Sequence, residues 1–226
     1  QLTTPDAVYS QKKLAEMACQ NVEYVAMEAS SVGLHQKRVE AIKFDTAIFT
    51  NLTRDHLDYH KTMTDYGESK KKLFKMPGLK SAILNLDDDF ALSIINSVPK
   101  EVEILTYSVA NENASIFSKN LTFTNSGYSA DIHTPLGVKR ISGKLIGYFN
   151  FSNILAVVTV LISTLRRKNI ENVELDKILE QVSLLAPVDG RMEIVDKGHE
   201  VTVIVDYAHT PASLRCALTT LKDHFK

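Results

Sequence analysis

Cysteine is scarce: Cys19 and Cys216 are the only two in 226 residues, with no CxxC and no Cys/His metal spacing. That excludes a disulfide framework and a thiolate zinc site, and it fits a reducing cytoplasm in which thiols stay free. An excess of one charge is also missing. Lys and Arg total 26 and Asp and Glu 27, for a net charge of −1, which argues against a nucleic-acid binder working through bulk electrostatics. No apolar run approaches the roughly 18 residues of a membrane span, and there is no signal-peptide core. The longest run, "ILAVVTVLISTL" at 154–165, leads into "RRK" and reads as a buried helix. Internal repeats and low-complexity segments are absent. So is an initiating methionine: the chain runs from Gln1 to Lys226, stops inside a helical pattern, and is expected to be a piece of something longer.

What is present is the composition of a cored protein, 44% hydrophobic and 23% charged, long enough for one large domain or somewhat more. "PDAVYSQKKLAEMACQN" has helical spacing, with Leu14, Met17 and Ala18 on one face. "VEYVAME", "FDTAIFT" and "SAILNLDD" read as short strands. "ASSVGLHQKRVEAIK" reads as loop and turn, and "DYGESKKKLFKM" as a helix stopped by Pro77-Gly78. Strands alternating with helices at this pitch give an α/β fold, a mostly parallel central sheet flanked by helices. Between Ile104 and Ile146, short alternating runs around the turn Asn125-Ser126-Gly127 predict a small antiparallel side sheet. "GYFNFSNILAVVTVLISTL" and "LDKILEQVSLL" return to helix. "HEVTVIVDYAHTPASL" then gives a strand, a loop and a helix opened by Pro211, where a missing N–H costs nothing. Ligands of parallel sheets gather beyond the carboxyl ends of the strands. Glu28, Thr50-Asn51 and Asn85 to Asp87 are expected on that edge.

The stretch "FTNLTRDHLDYH" sets Arg54, Asp55, His56, Asp58 and His60 directly after an apolar run. His56 and Glu28 would offer imidazole and carboxylate at neighbouring strand ends, a donor pair compatible with Mg²⁺ or Mn²⁺. Mg²⁺ keeps several waters and takes one or two protein groups beside substrate phosphates. A solvated loop with a capping aspartate is the plainer alternative. Lys70, Lys71 and Lys72 are consecutive, and successive helical residues diverge by about 100°, so at most one aims at a site; spacing does not say which. Asp206 and His209 follow a strand in "VDYAHTP". There Asp206 has the chemistry to bind a ribose hydroxyl or a metal-bound water, or to be a loop acid. Arg191 in "DGRMEIV" offers a planar fork to phosphate.

Taken in order, "TTPDA", "MEASSVGLHQKRVE", "FTNLTRDHLDYH", "YGESKKKLF", "NLDDD", "FNFSN", "GRME" and "VDYAHTP" resemble the motifs of the Mur ligases over nearly the whole chain. The resemblance implies a P-loop-NTPase-like central domain over 1–190 and the beginning of a C-terminal α/β domain over 191–226. It implies an ATP-dependent amide-bond ligase of peptidoglycan synthesis that uses ATP and Mg²⁺. Such an enzyme adds a diamino acid, meso-diaminopimelate or L-lysine, to UDP-N-acetylmuramoyl-L-alanyl-D-glutamate through an acyl phosphate. Carried over residue by residue, Thr3, Thr4, Ser30, Gln36 and Arg38 contact the UDP-muramoyl substrate. Glu28, His56 and Lys70 form the catalytic and metal-binding set, with Lys70 carbamylated so that a cation becomes a carboxylate-like ligand. For ATP, Asn150 and Asn153 stand on the adenine side, Arg191 on the phosphate side and Asp206 near the ribose, with His209 in the same motif.

Departures from the family pattern also matter. The GxxGK[ST] phosphate cradle, a uridine-binding domain and most of the C-terminal domain are not among these 226 residues, so the segment alone is expected to lack ligase activity. Val32 stands where many relatives carry His, and Asp189 where Pro or Gly often precedes "GRME"; neither is assigned to chemistry. Rival readings are another Mur or folylpolyglutamate-type ligase, a noncatalytic nucleotide-sugar-binding truncation, and a metal hydrolase using Asp55, His56 and His60. The expected protein is a cytoplasmic monomer with no nucleic-acid and no membrane partner.

Overall fold

A computed structural model describes residues 3–168, 175–195 and 201–225. Its helices are α1 (Ala7–Cys19), α2 (Ser31–His35), α3 (Leu57–His60), α4 (Met63–Lys71), α5 (Phe90–Ile95), α6 (Tyr148–Arg167), α7 (Leu175–Ser183) and α8 (Pro211–His224). Its strands are β1 (Thr46–Phe49), β2 (Ser81–Asn85), β3 (Glu103–Ser108), β4 (Ile116–Thr124), β5 (Gly127–Thr134), β6 (Gly137–Gly143), β7 (Glu193–Ile194) and β8 (Ile204–Val205). The first six strands follow one another in sheet order, and β7 pairs with β8. The fold is mixed α/β, as the alternating pattern implied. The chain divides into two compact units, Gln1–Ala82 with Asp89–Ile104 and Ile83–Asp88 with Leu105–Lys226.

In the first unit, helix starts are fixed by side-chain caps that satisfy otherwise orphaned N–H groups. The Asp6 carboxylate accepts from the Tyr9 N–H, the Ser30 hydroxyl from Gly33, and the Thr62 hydroxyl from Asp65. Leu34, Phe49, Tyr66, Phe74, Ala91 and Ile94 form its buried apolar interior. Two expectations need correction. "ASSVGLHQKRVEAIK" contains the short helix α2 rather than loop alone. "VEYVAME" belongs to no strand; Val22, Tyr24 and Val25 are exposed, so β-branched composition there is not matched by the burial that stabilises a strand.

In the second unit, Tyr107 and Ser108 of β3 pair in parallel with Ile116 and Phe117 of β4. Strands β4, β5 and β6 continue as an antiparallel meander, so the anticipated side sheet is hydrogen-bonded directly onto β3. Gly127 sits where a Cβ would come within 1.9 Å of the Gly143 carbonyl oxygen, a close approach that only glycine permits. Helix α6 is 20 residues long, with a mean hydropathy of 1.6 that would suffice to cross a membrane. Its Phe151, Ile154, Leu155, Val158 and Ile162 instead pack into the main hydrophobic core with Ile116, Ile132 and Tyr107. The apolar run at 154–165 is therefore a core helix, longer than the run because the polar residues at either end also take helical backbone. Helix α7 buries Leu175, Ile178, Leu179 and Val182, the i, i+3, i+4, i+7 stripe of a helix on a core.

Candidate active site

The first unit gathers the residues expected at the substrate. Thr4 is buried, 1% exposed, and its single hydroxyl makes two bonds. It donates to the Glu28 carbonyl at 2.9 Å and accepts the Ser30 N–H at 2.8 Å. Arg38 Nη1 donates to the Thr4 carbonyl at 2.9 Å, and Arg38 Nε donates to Gln36 Oε1 at 2.9 Å. Thr4, Glu28, Ser30, Gln36 and Arg38 are thus one hydrogen-bonded set drawn from three segments. Thr3, next to it, is exposed.

The stretch after β1 supplies a second cluster. His56 has left-handed backbone, φ 53 and ψ 24, a conformation that costs a non-glycine residue energy and concentrates at functional sites. The Asp55 carboxylate holds it there by accepting the His56 N–H at 2.7 Å, and it faces His56 Nε2 at 3.7 Å. The His56 ring stands edge-on to Tyr66, 5.8 Å between centroids, and Lys70 Nζ lies 5.1 Å from the centre of the same ring. Burial, with Asp55 adding to it, pushes the Tyr66 phenol up to about 12. The ring is therefore an uncharged spacer shared by His56 and Lys70.

The three consecutive lysines do diverge. Lys70 faces Tyr66, Lys71 pairs with Glu68 at 2.6 Å, and Lys72 lines a crevice of about 280 Å³ with Asp65 and Glu68. Glu28 has an exposed side chain, although its carbonyl is tied to Thr4. Among the described residues, no three His, Cys, Asp or Glu side chains converge to hold a metal ion.

The second unit gathers the residues expected at the nucleotide. A cleft of about 450 Å³ is walled by Leu145, Phe149, Ile154, Val157, Leu185, Ala186, Pro187 and Val188, with Asn150, Asn153 and Arg191 as its polar members. Asn150 Nδ2 donates to the Ile146 carbonyl at 2.7 Å, which directs that amide and leaves its oxygen as acceptor. Asp206 and His209 are not in the lining; they support Arg191. The Asp206 carboxylate accepts from the Met192 N–H at 3.0 Å and the Ala208 N–H at 2.8 Å. The Arg191 guanidinium lies 4.6 Å over the Tyr207 ring, and His209 meets that ring edge-on at 4.9 Å while its Nδ1 donates to the Tyr207 carbonyl. Apolar walls with a few amide and guanidinium groups are the general lining of a small-molecule site.

Asp87, expected at the ligand edge, is used structurally: its carboxylate accepts from the Ser108 hydroxyl and, at 2.7 Å, from the Val109 N–H. Sequence reasoning missed Tyr66, Tyr207 and the apolar cleft walls. The available signal was motif membership: Tyr66 opens "YGESK", Tyr207 lies within "VDYAHTP" and the wall residue Phe149 within "FNFSN", whereas the aliphatic walls carry none that composition reveals.

The family described as the Mur ligase middle domain matches residues 1–161, and that described as the Mur ligase, glutamate ligase domain matches 190–226. The chain is 39% identical over 226 residues to the UDP-N-acetylmuramoyl-L-alanyl-D-glutamate--2,6-diaminopimelate ligase of Coxiella burnetii, covering 98% of this chain and 45% of that protein. It is 42% identical over 222 residues to the enzyme of the same name from Chromobacterium violaceum, covering 98% and 43%. A solved structure of a ligase of that name superposes with a TM-score of 0.82 at 33% identity, covering 99% of this chain and 45% of the other. The chain therefore spans somewhat less than half the length of these relatives.

Proposed function

The chain belongs to the Mur ligase family, and on that premise we propose that the protein carrying it is an ATP-dependent amide-bond ligase of peptidoglycan precursor synthesis. Its substrate is UDP-N-acetylmuramoyl-L-alanyl-D-glutamate and its acceptor a diamino acid, for which the names of the relatives favour 2,6-diaminopimelate. We take residues 1–190 as the central domain and 191–226 as the beginning of the next. The protein acts as a cytoplasmic monomer, needing neither a membrane nor a nucleic acid.

The observation that carries the reading is the direct bonding of Thr4 to Ser30 and of Arg38 to Thr4. Residues from separate segments are thereby held as one polar platform suited to an anionic, carbonyl-rich ligand, with Thr3 and Gln36 at its margin. Arg38, always charged, gives the platform its positive end. Glu28 offers a carboxylate oxygen and His56 an imidazole nitrogen, and Lys70, once carbamylated by CO₂ with loss of two ammonium protons, would add carboxylate-type oxygen. An ion that keeps waters and phosphate oxygens needs few protein ligands. Bound there, Mg²⁺ would neutralise charge on the phosphoryl group being transferred.

In the reaction, the substrate's γ-carboxylate oxygen bonds to the ATP γ-phosphorus as the bond to ADP breaks. The acceptor amine then bonds to the acyl carbon, loses a proton, and phosphate departs with the attacking oxygen. Asn150, Asn153 and Arg191 orient the nucleotide, while Asp206 and His209 hold the arginine segment; positioning of this kind is the larger part of such catalysis. The whole gene product, given ATP, Mg²⁺, the UDP-linked substrate and 2,6-diaminopimelate, is expected to release phosphate only when the acceptor is present. Phosphate release that ignores the acceptor would overturn the reading in favour of a hydrolase, and substrate affinity without turnover would favour a binding protein.

A further inference from the structure

Resting on that reading, we propose that His60 is a positioning residue that locks the substrate loop at Ser30 to the lysine helix at Lys70. His60 is 6% exposed, and its two hydrogen-bond partners are buried as deeply, Ser31 at 2% and Ser69 at 3%. Its Nε2 meets Ser31 Oγ at 2.9 Å and its Nδ1 meets Ser69 Oγ at 3.5 Å. Ser31 directly follows Ser30, and Ser69 directly precedes Lys70. One imidazole therefore reaches the chain neighbours of a substrate residue and of the reactive lysine, on α2 and α4.

The ring's faces are engaged as well. His60 stacks on Tyr66 at 5.4 Å with an interplanar angle of 20°, and Tyr66 is the spacer touched by both His56 and Lys70. It also meets Tyr59 edge-on at 4.8 Å, while the Tyr59 hydroxyl is 2.8 Å from His35 Nδ1. Burial lowers the readiness of His60 to take a proton, so the ring is neutral, with one donor and one acceptor nitrogen. Two serine hydroxyls suit it because each can donate or accept.

A merely buried histidine and a positioning one differ under substitution. The amide nitrogen of glutamine falls near the place of Nε2, and that of asparagine near Nδ1. His60→Gln keeps the Ser31 arm and loses the Ser69 arm; His60→Asn does the reverse. The whole protein is examined with three readouts: melting temperature, affinity for UDP-N-acetylmuramoyl-L-alanyl-D-glutamate by calorimetry, and the carbamate carbon signal by NMR after exchange into ¹³C-bicarbonate.

His60→Asn is expected to raise Kd about tenfold, equivalent to about 1.4 kcal/mol, with the carbamate signal kept. His60→Gln should retain affinity within about twofold and lose most of the carbamate signal at limiting bicarbonate. Ser31→Ala and Ser69→Ala should reproduce these two patterns separately. Variants that move both readouts together, or move only the melting temperature, would overturn the proposal. A wild-type protein without any carbamate signal would instead remove the modification from the proposed function. The lysine arm is then read as amide hydrogen exchange over 63–71, which His60→Gln must still accelerate and His60→Asn must not.

Discussion

Thr4 satisfies two backbone groups with one hydroxyl, the Glu28 carbonyl and the Ser30 N–H. Valine has the same shape without the hydroxyl, so Thr4→Val leaves both part-buried groups unpaired. Each such group costs about 1–3 kcal/mol. Thermal melting should show destabilisation of about 2 kcal/mol or more, with weaker UDP-substrate binding; an unchanged melting temperature would mean that water takes over both bonds.

His60 carries a prediction about pH. The folded ring is held below its ordinary 6.5, chiefly by burial, with His35 and His56 adding to the effect and Asp65 and Asp58 opposing it. The unfolded chain therefore binds the extra proton more readily. The ring's stabilising contribution is complete above about 6.5 and is lost as pH falls below that value toward the folded pKa. Melting temperatures taken from about pH 7.5 down to about pH 5 should fall, and His60→Gln should flatten the decline; the same slope in the variant would exclude His60 as its source.

Helix α8 shows what an element's sequence can and cannot announce. Its start was legible, with Pro211 in the first turn and Thr210 and Ser213 completing a reciprocal capping box. Its end was not. His224, 3% exposed, accepts the Gly147 N–H at Nε2 (3.0 Å) and donates from Nδ1 to the Thr124 carbonyl at 2.8 Å. Gly147 caps α6, the helix carrying Asn150 and Asn153, with φ +104 and only 3.0 Å from the site of a Cβ to Thr220. Nothing local marks a histidine that bonds residues 77 and 100 positions away.

His224→Leu should lower stability by about 1–3 kcal/mol. Gly147→Ala, strained by both backbone and contact, should also weaken ATP binding because α6 must shift. Calorimetric melting and nucleotide titration check the pair, and wild-type behaviour in both would show that α8 does not brace the cleft. The misread strand at 22–28 is the converse case. Its β-branched composition is real, but composition describes a tendency and the pairing that makes a strand depends on distant residues.

At the scale of the whole molecule, each compact unit collects its own set of expected residues: Thr4, Ser30, Gln36, Arg38, His56 and Lys70 in one, Asn150, Asn153, Arg191, Asp206 and His209 in the other. The residues that bear polar chemistry were readable because motifs keep them in order along the chain. Tyr66 and His224 were assigned no role, and His60 one only in the rival hydrolase reading, because theirs arise from packing between segments, which leaves no periodic trace. Arg191 illustrates the boundary. Its guanidinium was expected at phosphate, yet its stacking on Tyr207 makes shape matter as much as charge. Arg191→Lys, with the charge kept and the flat face lost, should weaken ATP binding by about tenfold in a nucleotide titration; unaltered affinity would reduce its role to charge alone.

Transfer of oxygen from carboxylate to phosphate tests the ligase reading most directly. The whole protein is given ATP, Mg²⁺, 2,6-diaminopimelate and UDP-N-acetylmuramoyl-L-alanyl-D-glutamate carrying ¹⁸O in both oxygens of its γ-carboxylate. Activation through an acyl phosphate sends one labelled oxygen into inorganic phosphate for every amide formed and leaves the other in the product. Amide formation with unlabelled phosphate, or phosphate formed without amide, would contradict it.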